Sequence, residues 1–265
     1  MKKLISGVLA GVMACAMVFS FAGCGGSDTK KIEKPDDLKG ASIGVQLGTT
    51  GDINASDYEK DGSTINRYNK GADAVAALKN GKIDCVIIDK EPAQAFIEAN
   101  SGLKILDDFF DEEEYAVCMA KDKTELLGKF NKALGELKSD GTLQKIVDNY
   151  IGDDTKGKSP YTTPSGTEYP NGELHMATNA EFEPYEFIED GKIVGIDAMA
   201  AQAICDKLGY KLVIDNMDFE AIIGSIQSGK ADFGMAAMTV TPERKETVNF
   251  TDTYAKSKQV VIVKE

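Results

Sequence analysis

The sequence predicts an α/β fold in which helices pack on largely parallel sheets. Short apolar runs typical of strands, such as residues 42–46 (SIGVQ) and 85–89 (CVIID), alternate with segments of helical periodicity. In one such segment, Leu126, Phe130 and Leu134 fall on one helical face. Parallel strands are usually connected through a helix, so this alternation favours layers of helices on parallel sheets.

The predicted elements follow one another along the chain. Strands are predicted at 42–46, 85–89, 103–106, 115–120, 174–178, 211–214, 232–238 and 259–263. Helices are predicted after Thr49, over 72–78 and 90–100, twice between 126 and 150, over 197–208 and over 219–226. Gly152 ends the second helix of the pair, since glycine is common just past a helix.

The composition excludes some classes of function. The 265 residues carry a net charge of −13, which argues against binding to nucleic-acid phosphates and against electrostatic adhesion to anionic lipid. The three cysteines beyond residue 24 lie in apolar stretches without a CxxC pair, and His175 is the one histidine. These features predict inert thiols, no zinc site, no cofactor and no Cys–His nucleophile.

The N-terminus has the features of an export signal. Lys2 and Lys3 precede an apolar run over 4–21, which by length alone would also suit a permanent membrane helix. The run ends in Phe-Ala-Gly-Cys, and this stretch resembles the cleavage box of bacterial lipoproteins, with Phe21 in place of the usual leucine. The resemblance implies a signal peptide at 1–23, lipid on Cys24, a flexible tether at 24–37 and an extracytoplasmic protein anchored to the membrane.

Residues 152–172 differ in composition from the segments on either side. They hold three prolines and many Gly, Ser and Thr residues, with almost no aliphatic side chains. This composition predicts a linker between two α/β segments.

Several long motifs carry a resemblance to a known family. Residues 178–187 (TNAEFEPYEF), 191–212 and 219–244 (FEAIIGSIQSGKADFGMAAMTVTPER) resemble the first half of the amino-acid-binding solute-binding proteins of ABC importers. Residues 36–52 (DDLKGASIGVQLGTTGD) and 71–93 resemble the second half. The resemblance implies the two-lobe periplasmic-binding-protein-like (type II) fold, with a ligand cleft between the lobes.

The order of the two halves is reversed relative to the family. The chain is therefore interpreted as a circular permutant with lobe A, the family's second lobe, at 38–110 and lobe B, its first, at 111–265. A single covalent crossover is expected near 111–115, with a strand near Val263 pairing beside 115–120. A domain-swapped assembly of two partial domains is the alternative.

The resemblance also implies which residues bind the amino acid. Arg244 would bind the carboxylate through its planar guanidinium, and Asp89 would bind the ammonium. Thr239 would add a hydroxyl and an N–H. The other residues implied are the carbonyl of Ala237, the N–H groups of Thr49 and Thr50, the aromatic pair Phe182 and Phe219, Asn179 and Gln46.

Each of these residues also has a plain structural interpretation. An arginine after a turn is usually a surface ion pair, and an aspartate between a strand and a helix is often a helix cap. Phe219 has helical spacing with Ile222 and Ile226, which is typical of a core residue.

The expected function is the substrate-binding component of an amino-acid ABC importer, with a polar or basic free amino acid as ligand. Its expected partners are the importer's transmembrane subunits and, through lipid, the membrane. An enzyme of the dehydratase type on the same fold is the main alternative, with Glu181 and Glu183 as its acid candidates. A ligand-binding sensory module is a third possibility.

Overall fold

The computed structural model describes residues 29–152 and 154–265, so the predicted signal peptide and Cys24 lie outside the described residues. The helices are α1 Thr50–Ser56, α2 Gly71–Lys79, α3 Lys90–Ala99, α4 Thr124–Ser139, α5 Thr142–Tyr150, α6 Ile196–Leu208, α7 Ala221–Gln227 and α8 Pro242–Thr247, with short 3-10 turns at Pro35–Leu38 and Glu59–Asp61. In the described part of the chain, none of the helices is long and apolar enough to span a membrane.

The strands alternate with these helices and form mixed sheets. They are β1 Ser42–Gln46, β2 Thr64–Tyr68, β3 Cys85–Asp89, β4 Leu103–Leu106, β5 Glu112–Tyr115, β6 Cys118–Ala120, β7 Glu173–Thr178, β8 Glu181–Phe182, β9 Glu186–Glu189, β10 Lys192–Val194, β11 Lys211–Asn216, β12 Phe233–Gly234, β13 Val248–Phe250 and β14 Ala255–Lys264.

Two sheets organise the molecule. Sheet I has the order β2-β1-β3-β14-β4, and sheet II has the order β11-β7-β12-β6-β13. The neighbours of β1 and of β7 are parallel, whereas β14 in sheet I and β6 in sheet II are antiparallel to the strands beside them. A third, antiparallel sheet joins β8, β9 and β10. The structure is therefore mixed α/β, and its sheets are less uniformly parallel than predicted.

The centre of each sheet is buried by helices. All five residues of β3 are buried, which explains why its sequence is a continuous apolar run and not an alternating one. Strand β2, which was not predicted, lies at the edge of sheet I and keeps Asn66 and Arg67 among its residues. The largest apolar cluster includes Phe130 of α4 and Phe233 of β12, whose rings meet edge-on with centroids 4.9 Å apart.

Two chain segments connect the sheets, so the expected single crossover is wrong. Residues 112–115 of β5 pair with residues 255–258 of β14, and the last six residues of β14 continue into sheet I. Val263 pairs with Lys104 and not beside 115–120. The C-terminal strand thus joins the sheet expected for residues 38–110, because a ten-residue strand is long enough to span both regions.

Two segments predicted as loose are packed. Within the expected tether, Ile32 is buried, and the backbone N–H of Lys30 donates to the Asp84 carboxylate at 2.6 Å. The linker has no helix or strand among its described residues, but Tyr161 and Tyr169 both donate their hydroxyls to Asp206 of α6, at 2.9 and 3.0 Å. The expected tether is therefore held in place at Lys30 and Ile32.

Candidate functional site

A narrow cavity lies between the residues of sheet I and those of sheet II. All ten residues predicted to bind ligand line it. Those from the sheet I side are Gln46, Thr49, Thr50 and Asp89, and those from the sheet II side are Asn179, Phe182, Phe219, Ala237, Thr239 and Arg244. Their roles in binding stay predictions, but the structure brings all ten to one place.

The strands explain why the sheet I residues converge. Gln46 and Asp89 are the last residues of β1 and β3, and the carboxyl ends of neighbouring parallel strands meet at one edge of a sheet. Thr49 caps α1 by accepting the backbone N–H of Asp52 at 3.4 Å, and its hydroxyl donates to the carbonyl of Gln46 at 2.8 Å. The Thr49 hydroxyl is therefore occupied within its own turn.

Arg244 is a buried cation without an ionic partner among the described residues. It is 7% exposed on α8, and its guanidinium donates to the carbonyls of Thr239 at 2.8 Å and Gly48 at 3.0 Å. The guanidinium carbon lies 5.4 Å from the centroid of the Phe219 ring. Burial lowers the pKa of Arg244, yet arginine keeps its charge in proteins. Because a buried charge without a partner is destabilising, an anion bound beside Arg244 would be stabilised here.

Asp89 lies at the other side of the cavity and is also buried. Its side chain does not cap α3, so the helix-cap interpretation is wrong. Instead it accepts a hydrogen bond from the hydroxyl of Tyr115. Burial, and then the nearby Glu113 carboxylate, raise the pKa of Asp89 to about 7. A buried acid of this kind gains from a cation placed beside it.

Glu186 is a cavity residue that the sequence analysis missed. It is 1% exposed, and its Oε2 atom has no hydrogen-bond partner among the described residues; the same holds for Oδ1 of Asp197. Burial, then Asp197, raise the pKa of Glu186 well above its usual range, and burial raises that of Asp197 to about 6. In the sequence, the one sign that Glu186 is buried is its position between two aromatic residues, Tyr185 and Phe187.

Ala237 is held in an unusual conformation at the cavity wall. Its φ of 44° lies in the left-handed region, which a non-glycine residue adopts only where its surroundings require it. Its N–H donates to Asp197 at 2.7 Å, and Asp197 also accepts the hydroxyl of Tyr254 at 2.8 Å. The predicted strand at 232–238 is accordingly reduced to Phe233–Gly234, and the following residues form a loop along the cavity.

Direct contacts close the space between the two sides. Gln46 donates through Nε2 to Oδ1 of Asn179 at 2.9 Å, so these two amides bond to each other. Near the rim, Lys70 pairs with Glu181 at 2.6 Å. The two sides therefore meet in a closed arrangement.

The residues considered for catalysis lie outside the cavity lining. Glu181 pairs with Lys70, Glu183 lies 3.4 Å from Lys156, and His175 pairs with Asp215 at 2.8 Å on the surface. Cys85, Cys118 and Cys205 are buried and unpaired, and burial raises their thiol pKa values, to about 12 for Cys118 and Cys205. Within residues 29–152 and 154–265, no group of three or more His, Cys, Asp or Glu side chains is placed to hold a metal ion.

Comparison with known proteins places this site in a family. Residues 60–153 and 174–265 match the model of the bacterial extracellular solute-binding proteins, family 3. The chain belongs to this family. The two matched segments leave the linker between them unmatched, and together they contain most of the cavity residues, including Asp89, Arg244 and Glu186.

Curated relatives match over shorter lengths. The arginine-binding extracellular protein ArtP of Bacillus subtilis is 37% identical over 101 residues, which are 38% of this chain and 40% of the relative. The L-cystine-binding protein TcyJ of Escherichia coli is 30% identical over 46% of each chain, and the ABC transporter arginine-binding protein 1 of Escherichia coli is 33% identical over 43% of this chain and 49% of its own.

The chain spans less than half the length of these three relatives. A solved structure of an ancestral arginine-binding protein bound to arginine is 44% identical over 32% of this chain and 38% of that chain, with a TM-score of 0.30.

Proposed function

We propose that this protein captures a free amino acid between two lobes, as the binding component of an ABC importer. One observation carries the proposal: a buried arginine without an ionic partner in the described chain, Arg244, faces a buried acid, Asp89, across one cavity. A free amino acid carries a carboxylate and an ammonium at a fixed separation, and these two groups complement that pair.

The two charges come from opposite lobes. Asp89 and Thr50 belong to lobe A, built on sheet I, whereas Arg244 and Ala237 belong to lobe B, built on sheet II. An amino acid reaches both sets of partners only when the lobes are closed, so its binding favours the closed form. Charge-assisted hydrogen bonds contribute about 1.5–3 kcal/mol each, so a few of them, less the cost of closure, reach a Kd of about 1 μM.

The chemistry of the ligand's side chain is inferred from two buried acids beside the cavity, Glu186 and Asp197. The Glu186–Asp197 pair holds more acceptor oxygens than donors, and the rings of Phe182 and Phe219 line the same cavity. This wall suits a side chain with N–H groups and an apolar stem. We therefore propose a basic or amide amino acid, and arginine is the first probe.

A thermal-shift screen against the twenty amino acids tests this function. A ligand that binds the folded protein alone raises the Tm by mass action. We expect shifts with arginine, lysine, histidine or glutamine, and none with aspartate or glutamate. No shift with any amino acid, on a sample that unfolds cooperatively, would refute the proposed function.

The reversed order of the lobes is also a proposal. Two observations support it: the family matches flank the linker, and the side chains of Thr29 and Lys264 both lie near Gly81, so the two described ends of the chain are close together. A chain rebuilt with residues 173–265 before residues 36–152 should bind the same ligand with a Kd within about tenfold. A rebuilt chain that does not fold would contradict the permuted order.

The export signal and lipid anchor complete the proposal. The basic start, the apolar run and the Phe-Ala-Gly-Cys stretch before Gly25 support them. The wild type should lose residues 1–23 and incorporate a labelled fatty acid, and Cys24→Ala should incorporate none. A wild type that keeps residues 1–23 and incorporates no fatty acid would instead support the alternative of a permanent membrane helix.

A further inference from the structure

Three consecutive acids on strand β5 have different surroundings. Successive side chains of a strand point to opposite faces, so Glu113 shares a face with the buried Tyr115, and Glu112 and Glu114 share the other. The structure follows this rule: Glu112 and Glu114 are exposed, whereas Glu113 is partly buried and turned towards the site. Only one of the three acids is therefore placed to act on the cavity.

The carboxylate of Glu113 joins the two lobes. Its Oε2 atom accepts the hydroxyl of Thr50 from lobe A and the hydroxyl of Thr239 from lobe B, both at 2.7 Å. Nε2 of Gln259, on the second connecting strand, donates to the same atom at 3.4 Å. One oxygen thus holds donors from both lobes, and the third donor, Gln259, lies where β14 enters sheet I.

This geometry assigns the Thr239 hydroxyl a different role from the expected one, and it assigns a role to the Thr50 hydroxyl, of which only the N–H was expected to act. A hydroxyl has one proton, so a threonine that donates to Glu113 has none left for a ligand carboxylate. The oxygen of Thr50 also accepts from Nε2 of Gln259 at 3.0 Å, which fixes the direction of its proton. Hydrogen bonds to an ionised acceptor are about twice as strong as neutral ones. The hydroxyls of Thr50 and Thr239 therefore hold the two lobes together through Glu113 and do not bind the ligand.

We propose that Glu113 is a positioning residue that latches the closed form by holding Thr50 and Thr239 together behind the amino-acid site. The latch needs no ligand, and only its effect on ligand affinity rests on the proposed function. Its consequence is that part of the ligand-free protein is already closed, so that a ligand pays less of the cost of closure.

Hydroxyl-radical footprinting of the full chain without ligand tests the latch. The reporter is Phe182, which lines the cavity and is 7% exposed in the closed form. The internal control is Phe233, which is fully buried in the core of lobe B. Glu114→Ala, which removes the same charge from the opposite face of the same strand, is the matched variant.

We expect Glu113→Ala to raise oxidation of Phe182 at least threefold without changing Phe233, and Glu114→Ala to change neither. Glu113→Gln, which restores an acceptor oxygen without the charge, should give an intermediate value. Equal oxidation of Phe182 in wild type and Glu113→Ala would overturn the latch. If Glu113→Ala also raises oxidation of Phe233, Glu113→Gln decides: a rise at Phe182 alone supports the latch, and any other result overturns it.

A parallel arm with arginine separates the latch from the proposed function. If arginine binds in the cavity, it should protect Phe182 in wild type and in Glu113→Ala. Absence of protection in wild type would count against arginine as the ligand and would leave the ligand-free comparison unaffected.

Discussion

Replacing Arg244 with alanine should remove amino-acid binding while the fold persists. In the closed arrangement, the guanidinium uses two donors on the carbonyls of Thr239 and Gly48, and its remaining donors are available for a carboxylate. Two charge-assisted hydrogen bonds to the ligand contribute about 1.5–3 kcal/mol each, so the loss is about 3–6 kcal/mol, or about 10²- to 10⁴-fold in Kd.

Stability should change much less than affinity. The variant loses the two hydrogen bonds to Thr239 and Gly48, but it also removes a buried charge that has no ionic partner in the described chain. These effects have opposite signs. Circular dichroism and the ligand-free Tm should therefore still indicate a folded protein.

Isothermal titration with arginine is the assay, and the chain offers a matched control. The sequence's other arginine, Arg67, pairs with Asp52 at 2.8 Å outside the cavity, so Arg67→Ala should bind as wild type does within about threefold. Arg244→Lys keeps the charge but not the planar fork and should fall between wild type and Arg244→Ala. A folded Arg244→Ala that binds within tenfold of wild type would refute this reasoning.

Three further predictions concern the acids and the backbone of the site. The pKa of Asp89 is about 7 in the folded protein and near 3.8 in the unfolded protein, so the contribution of this group to stability is lost as the pH rises from about 4 to about 7. Because the ligand's ammonium pairs with the ionised form of Asp89, the Tm shift caused by arginine should grow from pH 5 to pH 8. A Tm shift that shrinks over this range would contradict the prediction. Glu186→Gln should weaken arginine binding about 10- to 100-fold in calorimetry, and more than glutamine binding, because a guanidinium beside Glu186 lowers the raised pKa of that carboxyl and then pairs with the carboxylate. The control Glu183→Gln should change neither, and equal losses for both ligands would refute a charge preference. Gly195→Ala should lower the Tm by several degrees, because the φ of Gly195 is +121° and an added Cβ atom would lie 2.2 Å from the carbonyl oxygen of Tyr185. The control is Gly224→Ala, where an added Cβ atom meets open space. Equal Tm values for the two variants would contradict the predicted strain.

The sequence predicted the position of the site better than the course of the chain. Asp89 and Gln46 end apolar strands, and Arg244 ends a long motif, so local pattern and family resemblance together located the cavity residues. Strand β2 was missed because an edge strand keeps polar residues such as Asn66 and Arg67. The apolar run 259–263 predicted a strand, but no local pattern specifies which sheet a strand joins.

The missed site residues depended on tertiary contacts. Glu186 is one acid among many in the sequence, and only its burial beside Asp197 distinguishes it. Glu113 is one of three consecutive glutamates, and the pairing of β5 with β14 decides which of them turns towards Thr50 and Thr239. Neither burial nor strand orientation can be read from these local sequences.

Arg244 and Asp89 are proposed to bind the carboxylate and the ammonium of one free amino acid together. The most direct measurement is a calorimetric titration of wild type with arginine and with agmatine, which is arginine without the carboxylate. We predict micromolar binding of arginine and a loss of at least 100-fold with agmatine. Equal affinity for the two compounds would show that no carboxylate is bound at Arg244 and would contradict the account.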